Sequence, residues 1–253
     1  MPEGADRAAG TLEQVLLTAT RVTTFDGRRS LTNASGFFFE RDARLYLVTS
    51  RHVLADDASD HRPDRIEIEM HTDARNLTRS CGFSVPLYRN GREAWSHGKD
   101  TGGGIDVAVI ELERAAFPAN AQVRCFTPAH LLSSLDEVDI GTPLTILGFP
   151  LSFHDTVHHL PVARHATLAS SLGLRFQGQG YFLTDARTHR GASGAPVLLH
   201  GPHRRSAADP LPWRLLGVHS ARMDMHDRDD SQDEALGLNC AWYADILLTL
   251  TAG

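Results

Sequence analysis

Short apolar runs, each ended by turn-forming residues, recur along the whole chain. In the first half they read "LLTATRVTTFDG", "ASGFFFERD", "ARLYLVTS", "DRIEIEMHTD", "FSVPLYR" and "IDVAVIEL". These runs are rich in β-branched and aromatic residues, several alternate apolar with polar positions, and Gly, Asp, Asn or Pro separates them, which is the signature of strands with one buried face. A less regular stretch, "RAAFPANAQVRCFTPAHLLSSLDEVDIGT", then gives way to "LTILGFP", "LPVARHATLAS", "GYFLTD", "GAPVLL", "WRLLGVHS" and "LGLNCAWY". Helix formers gather only near the end, in "ADILLTLTAG", which predicts a short closing helix. Six strands followed by six more predict an all-β chain of two six-stranded antiparallel β-barrels packed together, since closure removes open sheet edges. The expected division is a tail over 1–16, a first barrel over 17–118, a connector over 119–140, and a second barrel with the C-terminal helix over 141–253.

Composition narrows the classes. With 253 residues, 42% hydrophobic and 22% charged, the chain can bury a sizeable core in the manner of a water-soluble globular protein. A net charge of -6 supplies no basic field for nucleic acid, and the basic patch at 203–205 is too short to change that. The N-terminus begins acidic and polar, unlike a secretory leader, and no apolar run approaches the ~18 residues of a membrane helix. A cytoplasmic protein with no nucleic-acid and no membrane partner is expected. Cys81, Cys125 and Cys240 lie far apart and are odd in number, so free and mostly buried thiols are expected. No cofactor or metal is expected either. "HDTVHH" offers His154, His158 and His159 without a carboxylate at a recognised ligand spacing, and "RMDMHDRDDSQDE" lacks the glycine and spaced ligands of a calcium loop. That acidic stretch reads as a surface excursion, and "HGPHRRSAADPLP" as a polar loop between strands.

Three residue types in order carry the candidate chemistry. In "YLVTSRHVLADD" an apolar strand ends at His52, followed by what reads as a short helical turn; this is where a general base can stand at the rim of a cleft. In "GGGIDVAVIEL" Asp106 lies among apolar neighbours, where a carboxylate needs hydrogen-bonding partners. In "TDARTHRGASGAPVLL" Ser193 occupies a Gly-x-Ser-Gly turn. Each has a plainer reading: a strand-end histidine among 14 in the chain, an aspartate capping a turn after three glycines, a serine in an ordinary turn. Asp106 follows His52 by 54 residues and Ser193 follows Asp106 by 87, so the order is His, Asp, Ser, one of the arrangements of the serine-protease triad.

These motifs resemble the trypsin-like (chymotrypsin-fold) serine peptidases, in particular the bacterial branch with the HtrA proteases and glutamyl endopeptidases. "VTSRHVL" is similar to the family's histidine motif, "IDVAVIEL" to its aspartate strand, "TDARTHRGASGAPVLL" to its serine turn, and "LLGVHS" to the strand lining its substrate cleft. "LTILGFP" is similar to the opening strand of the HtrA second barrel, and the resemblance spans roughly residues 17 to 250. It implies a serine endopeptidase acting on protein or peptide substrates, with His52 as base, Asp106 as its orienting partner, Ser193 as nucleophile, and the N–H groups of Gly191 and Ser193 as oxyanion hole. Ala192 stands where the digestive enzymes carry the aspartate that pairs with a new N-terminus, so activation by that cut is not expected. Ala195 replaces the family's usual second glycine. Arg187 stands where basic-specific members carry an aspartate, which disfavours cleavage after Arg or Lys. Thr188 and His219 fall where glutamyl endopeptidases contact an acidic side chain, with Ser220 beside them in the cleft, and Arg187 and Arg222 add positive charge; an acidic P1 preference follows. A latent or impaired module of the same fold, working through an activating or binding partner protein, is the alternative. An α/β-hydrolase is disfavoured, because its Gly-x-Ser-x-Gly motif fails at Ala195 and long helices are missing.

Overall fold

The computed structural model describes residues 13–134, 138–201, 211–222 and 236–252. Strands dominate it, in two successive groups. The first group comprises β1 (Ala19–Asp26), β2 (Arg29–Arg41), β3 (Arg44–Thr49), β4 (Arg65–His71), β5 (Ser80–Pro86), β6 (Tyr88–Arg89), β7 (Arg92–Glu93), β8 (Trp95–Asp100) and β9 (Gly103–Leu112), with a one-turn helix α1 (Arg51–Leu54) after β3. The second comprises β10 (Pro143–Gly148), β11 (Val162–Leu168), β12 (Tyr181–Asp185), β13 (Pro196–His200), β14 (Trp213–Arg222) and β15 (Leu238–Tyr243), closed by helix α2 (Ile246–Leu250).

The second group is a closed barrel in the order β10-β11-β12-β15-β14-β13, every neighbouring pair antiparallel. Its six strands are those that the apolar runs predict, and α2 falls in the segment of helix formers. The first group departs from expectation. Instead of a closed six-stranded barrel it forms a seven-stranded sheet in the order β5-β4-β1-β2-β3-β9-β8, with β6 and β7 as a separate hairpin. The extra strand is β8, whose "WSHGKD" has one buried residue, Trp95, and so shows no apolar alternation. At the other edge, β5 buries only Val85 and stops at Pro86, which cannot donate to a ladder. The β8 edge is polar and carries a register irregularity between His97 and Lys99, features that discourage pairing with another chain.

Packing follows the strand period. β4 alternates partly and fully buried positions, so that Ile66, Ile68 and Met70 face a core shared with Val22, Leu45, Leu47, Leu54 and Ile110. A second core, around Ile146, Phe182, Val197 and Leu216, fills the closed barrel. Between them lies a third, in which Phe37, Phe39, Tyr46, Val48, Val107 and Val109 of the first group meet Leu147, Leu198, Leu215, Val218, Trp242 and Leu247 of the second. Phe126 of the connector joins this seam: it is fully buried, sets its ring edge-on against Phe37, and exchanges backbone hydrogen bonds with Phe38 and Glu40 of β2. All three thiols are partly rather than fully buried, contrary to the expectation of mostly buried cysteines, and burial pushes those of Cys125 and Cys240 up to about 11. No described helix is long and apolar enough to cross a membrane.

Candidate active site

α1 begins immediately after β3, so the apolar strand delivers His52 to the rim of the sheet, while β9 runs beside β3 and brings Asp106 under it. The Asp106 carboxylate takes three hydrogen bonds. Oδ1 accepts from the backbone N–H of His52 at 2.8 Å, Oδ2 faces His52 Nδ1 at 2.7 Å, and Oδ2 also accepts from the Ser220 hydroxyl. The carboxylate that looked costly in an apolar strand is thus fully partnered, and the imidazole is fixed in orientation. Burial opposes the charged form of His52, but the hydrogen bond and charge of Asp106, together with the charge of Asp56, raise its pKa above the ordinary value. Its side chain remains 38% exposed.

Ser193 sits in the loop between β12 and β13 and shares with His52 a groove of about 770 Å³, whose walls also include Ala34, Val53, Arg190 and Gly191. Two glycines shape this loop. Gly191 and Gly194 both have left-handed backbone, at φ +94° and +84°, and a Cβ would lie 2.6 Å from the Phe149 carbonyl oxygen at the first and 2.2 Å from the Ser35 carbonyl oxygen at the second. The loop is pinned by backbone bonds in which Gly194 N–H donates to His219 O (2.7 Å) and His219 N–H to Ala195 O (2.8 Å). Arg190 O accepts from Leu151 N–H at 2.6 Å. In a trans peptide the N–H points away from the C=O, so Gly191 N–H faces the opposite side from Leu151. Among the described residues, no acceptor takes the N–H of Gly191 or of Ser193.

The remaining sequence-derived positions divide. Ala192 is buried, and Ala195, fully buried, packs into the core of the closed barrel. Ser220, read from sequence as a cleft residue, uses its hydroxyl to hold Asp106, because β14 passes directly behind β9. His219 is 2% exposed, and burial first, then the charge of His52, lowers its pKa to about 4; the ring is neutral and its Nδ1 has no partner among the described residues. Thr188 is buried and donates to Asn239 Oδ1. Asn239, itself fully buried, spends its amide on Ala186 O (2.7 Å) and Gly237 O (3.0 Å), which fixes Oδ1 as the acceptor. Arg187 is exposed, and its carbonyl receives the Arg164 guanidinium. The Arg222 side chain, the basic patch at 203–205 and the acidic stretch at 223–234 lie outside the described residues.

Two contributors escape a reading of the sequence. Asn239 is a lone amide in the apolar strand "LGLNCAWY", and Ser35 a lone hydroxyl in "ASGFFF". A polar residue at an inward position of an alternating strand is the signal that could have found each, though not its partner.

A family model described as "Trypsin-like peptidase domain" matches residues 34–201. A curated relative, Serine protease HTR4 of Bos taurus, is 26% identical over 168 residues, which cover 66% of this chain and 28% of the relative. The chain therefore spans under a third of that protein's length. Among solved structures, a variant of the HtrA-type protease AlgW with tripeptide is 15% identical with a TM-score of 0.53, covering 92% of this chain and 58% of its own. The serine endoprotease from Yersinia pestis is 14% identical with a TM-score of 0.52, covering 92% and 61%. At these identities the structural likeness speaks for the fold.

Proposed function

Because the chain belongs to the trypsin-like peptidase domain family, we propose that it is a serine endopeptidase that cleaves protein substrates with Ser193 as nucleophile, His52 as general base and Asp106 as its orienting carboxylate. The observation that carries the reading is the double hold of Asp106 on His52, at the side-chain Nδ1 and at the backbone N–H, in the groove that also exposes Ser193. With Nδ1 committed to Asp106, the ring receives a proton only at Nε2. Ser193 Oγ attacks the scissile carbonyl carbon and its proton passes to Nε2; the carbonyl oxygen becomes an oxyanion facing the N–H groups of Gly191 and Ser193. The leaving amine then takes the proton from His52, and water repeats the sequence on the acyl-enzyme.

The P1 preference in this reading is acidic, and it rests on His219. The neutral imidazole of His219, whose enclosed Nδ1 has no partner among the described residues, would donate to a P1 carboxylate once the side chain turns toward the cleft, whereas Thr188 has already given its proton to Asn239. The exposed Arg187 adds positive charge close by in sequence. Two measurements test the proposal. A fluorophosphonate probe labels the wild type and not Ser193→Ala; wild type that resists labelling while folded overturns the hydrolase. A P1-scanned peptide library gives highest turnover after Glu or Asp, falling by about tenfold or more in His219→Ala; best cleavage after Arg or large aromatic residues removes the acidic preference and leaves the hydrolase standing.

A further inference from the structure

Ser35 of β2 is fully buried and has no place in the proton-transfer chain, yet its three polar groups all reach the serine loop or its support. The backbone N–H donates to Ser193 O at 2.9 Å. The hydroxyl donates to Gly191 O at 2.7 Å and accepts from Phe149 N–H at 2.9 Å. The carbonyl accepts from Thr49 Oγ1 at 2.8 Å, which ties the residue to β3, the strand leading to His52. A hydroxyl has one proton to give, and here it is given to the carbonyl of the loop glycine.

The need for such an anchor follows from the loop itself. Gly191 has no Cβ to restrict it, so the Arg190–Gly191 peptide, which carries its N–H, can turn about Gly191 unless the Gly191–Ala192 peptide beyond it is also held. Ala192 offers no charge to hold the loop by an ion pair. Both flanking peptides are held: Arg190 O by the N–H of Leu151, and the Gly191–Ala192 peptide at both ends, its N–H donating to His189 O within the loop at 3.1 Å and Gly191 O accepting from the hydroxyl of Ser35. Leu151 itself has left-handed backbone (φ +53°) and a side chain 67% exposed, so its contribution here is its backbone donor. Phe149, two residues earlier, is the group that donates to Ser35, so both anchors belong to one bonded unit spanning β2, the 149–151 segment and the serine loop.

We infer that Ser35 is a positioning residue that locks the Gly191 N–H in its oxyanion-binding orientation, in place of a charge pair within the loop. The inference rests on the proposed Ser193 chemistry. It makes the oxyanion geometry depend on contact between the two strand groups, since the anchor comes from the first and the donor from the second.

A peptidyl trifluoromethyl ketone separates the two claims. With it, Ser193 Oγ bonds to the ketone carbon, the proton goes to His52, and the ketone oxygen becomes the oxyanion, whose protonation ¹⁹F NMR follows. In Ser35→Ala, kcat is expected to fall about 10- to 100-fold with KM within about threefold. The pKa of the adduct hydroxyl should rise by about one unit or more, because a lost donor destabilises the charged form. Ser35→Cys, similar in volume with a far weaker donor, should reproduce both changes at a melting temperature near wild type, and it carries the test if the alanine variant does not fold. Folded Ser35→Cys with wild-type kcat and an unshifted adduct pKa overturns the inference. Failure of the wild type to form any adduct overturns the proposed function instead.

Discussion

At the scale of single residues, the proposed mechanism makes turnover depend on the protonation of His52. Its imidazolium is favoured by Asp106 and by Asp56, against burial, so its pKa lies above the ordinary value of 6.5. The ring must be neutral to accept the Ser193 proton. As pH falls, kcat/KM should therefore drop along a limb centred above 6.5 and described by a single ionisation. The stability effect has the opposite sense: a raised folded-state pKa favours the fold below the unfolded value, and that contribution fades as pH rises through the folded one. Replacing Asp106 by Asn removes the largest raising influence, so the limb should move to lower pH while kcat drops by roughly 10⁴. A limb that stays in place in Asp106→Asn would show that another group titrates. His52, Asp106 and Ser193 stand out in the sequence because each interrupts an apolar or glycine-rich pattern, and the fold brings all three to one groove or its floor. Ser35 and Asn239 interrupt patterns too, but their partners lie 156 and 51 residues away, and only the folded chain shows what the polar atoms touch.

At the scale of elements, legibility followed the amount of burial on each strand. The closed barrel was readable because β10, β13 and β15 bury most of their residues and show continuous or alternating apolar runs. β8 was invisible, since its hydrogen bonds to β9 and not its side chains make it a strand. β2 begins earlier than its apolar half suggests, because Arg29–Asn33 form an exposed arm paired with β1 and need no apolar face. Pro86 split one predicted strand into β5 and the short β6. The connector shows the converse: "CFTPAH" has no strand pattern, yet Phe126 pairs in parallel with Phe39 through a single bridge. That ring is completely buried between the strand groups, so truncation leaves a cavity in the shared seam. Phe126→Ala should cost about 3–5 kcal/mol in urea unfolding, against less than about 0.5 kcal/mol for an exposed position such as Leu174→Ala. A loss under about 1 kcal/mol would mean that the connector does not hold the seam.

At the scale of the whole molecule, the groove exists because neither strand group buries its faces alone. The shared core draws Phe37, Val48 and Val107 from one group and Leu198, Val218 and Trp242 from the other. α2, although it follows the closed barrel in sequence, inserts its fully buried Leu247 into this seam, and the carbonyls of Leu248 and Thr251 receive the Arg41 and Tyr46 side chains of the first group. Ser35 adds polar ties at the rim, its hydroxyl to Gly191 O and its N–H to Ser193 O. Separation would expose the seam's apolar residues and strip buried polar groups of their partners, so a state with one group folded and the other unfolded is disfavoured on both counts. Unfolding should then be a single cooperative step. The tryptophans allow this to be checked, since Trp95 lies in the first group while Trp213 and Trp242 lie in the second. In Trp95→Phe, fluorescence reports the closed barrel alone and far-UV circular dichroism reports all the strands. The two urea curves should superimpose in midpoint and slope. A fluorescence midpoint displaced from the dichroism midpoint would mean that the closed barrel stands without its neighbour, and that the groove, with His52 on one side and Ser193 on the other, can open without the chain unfolding.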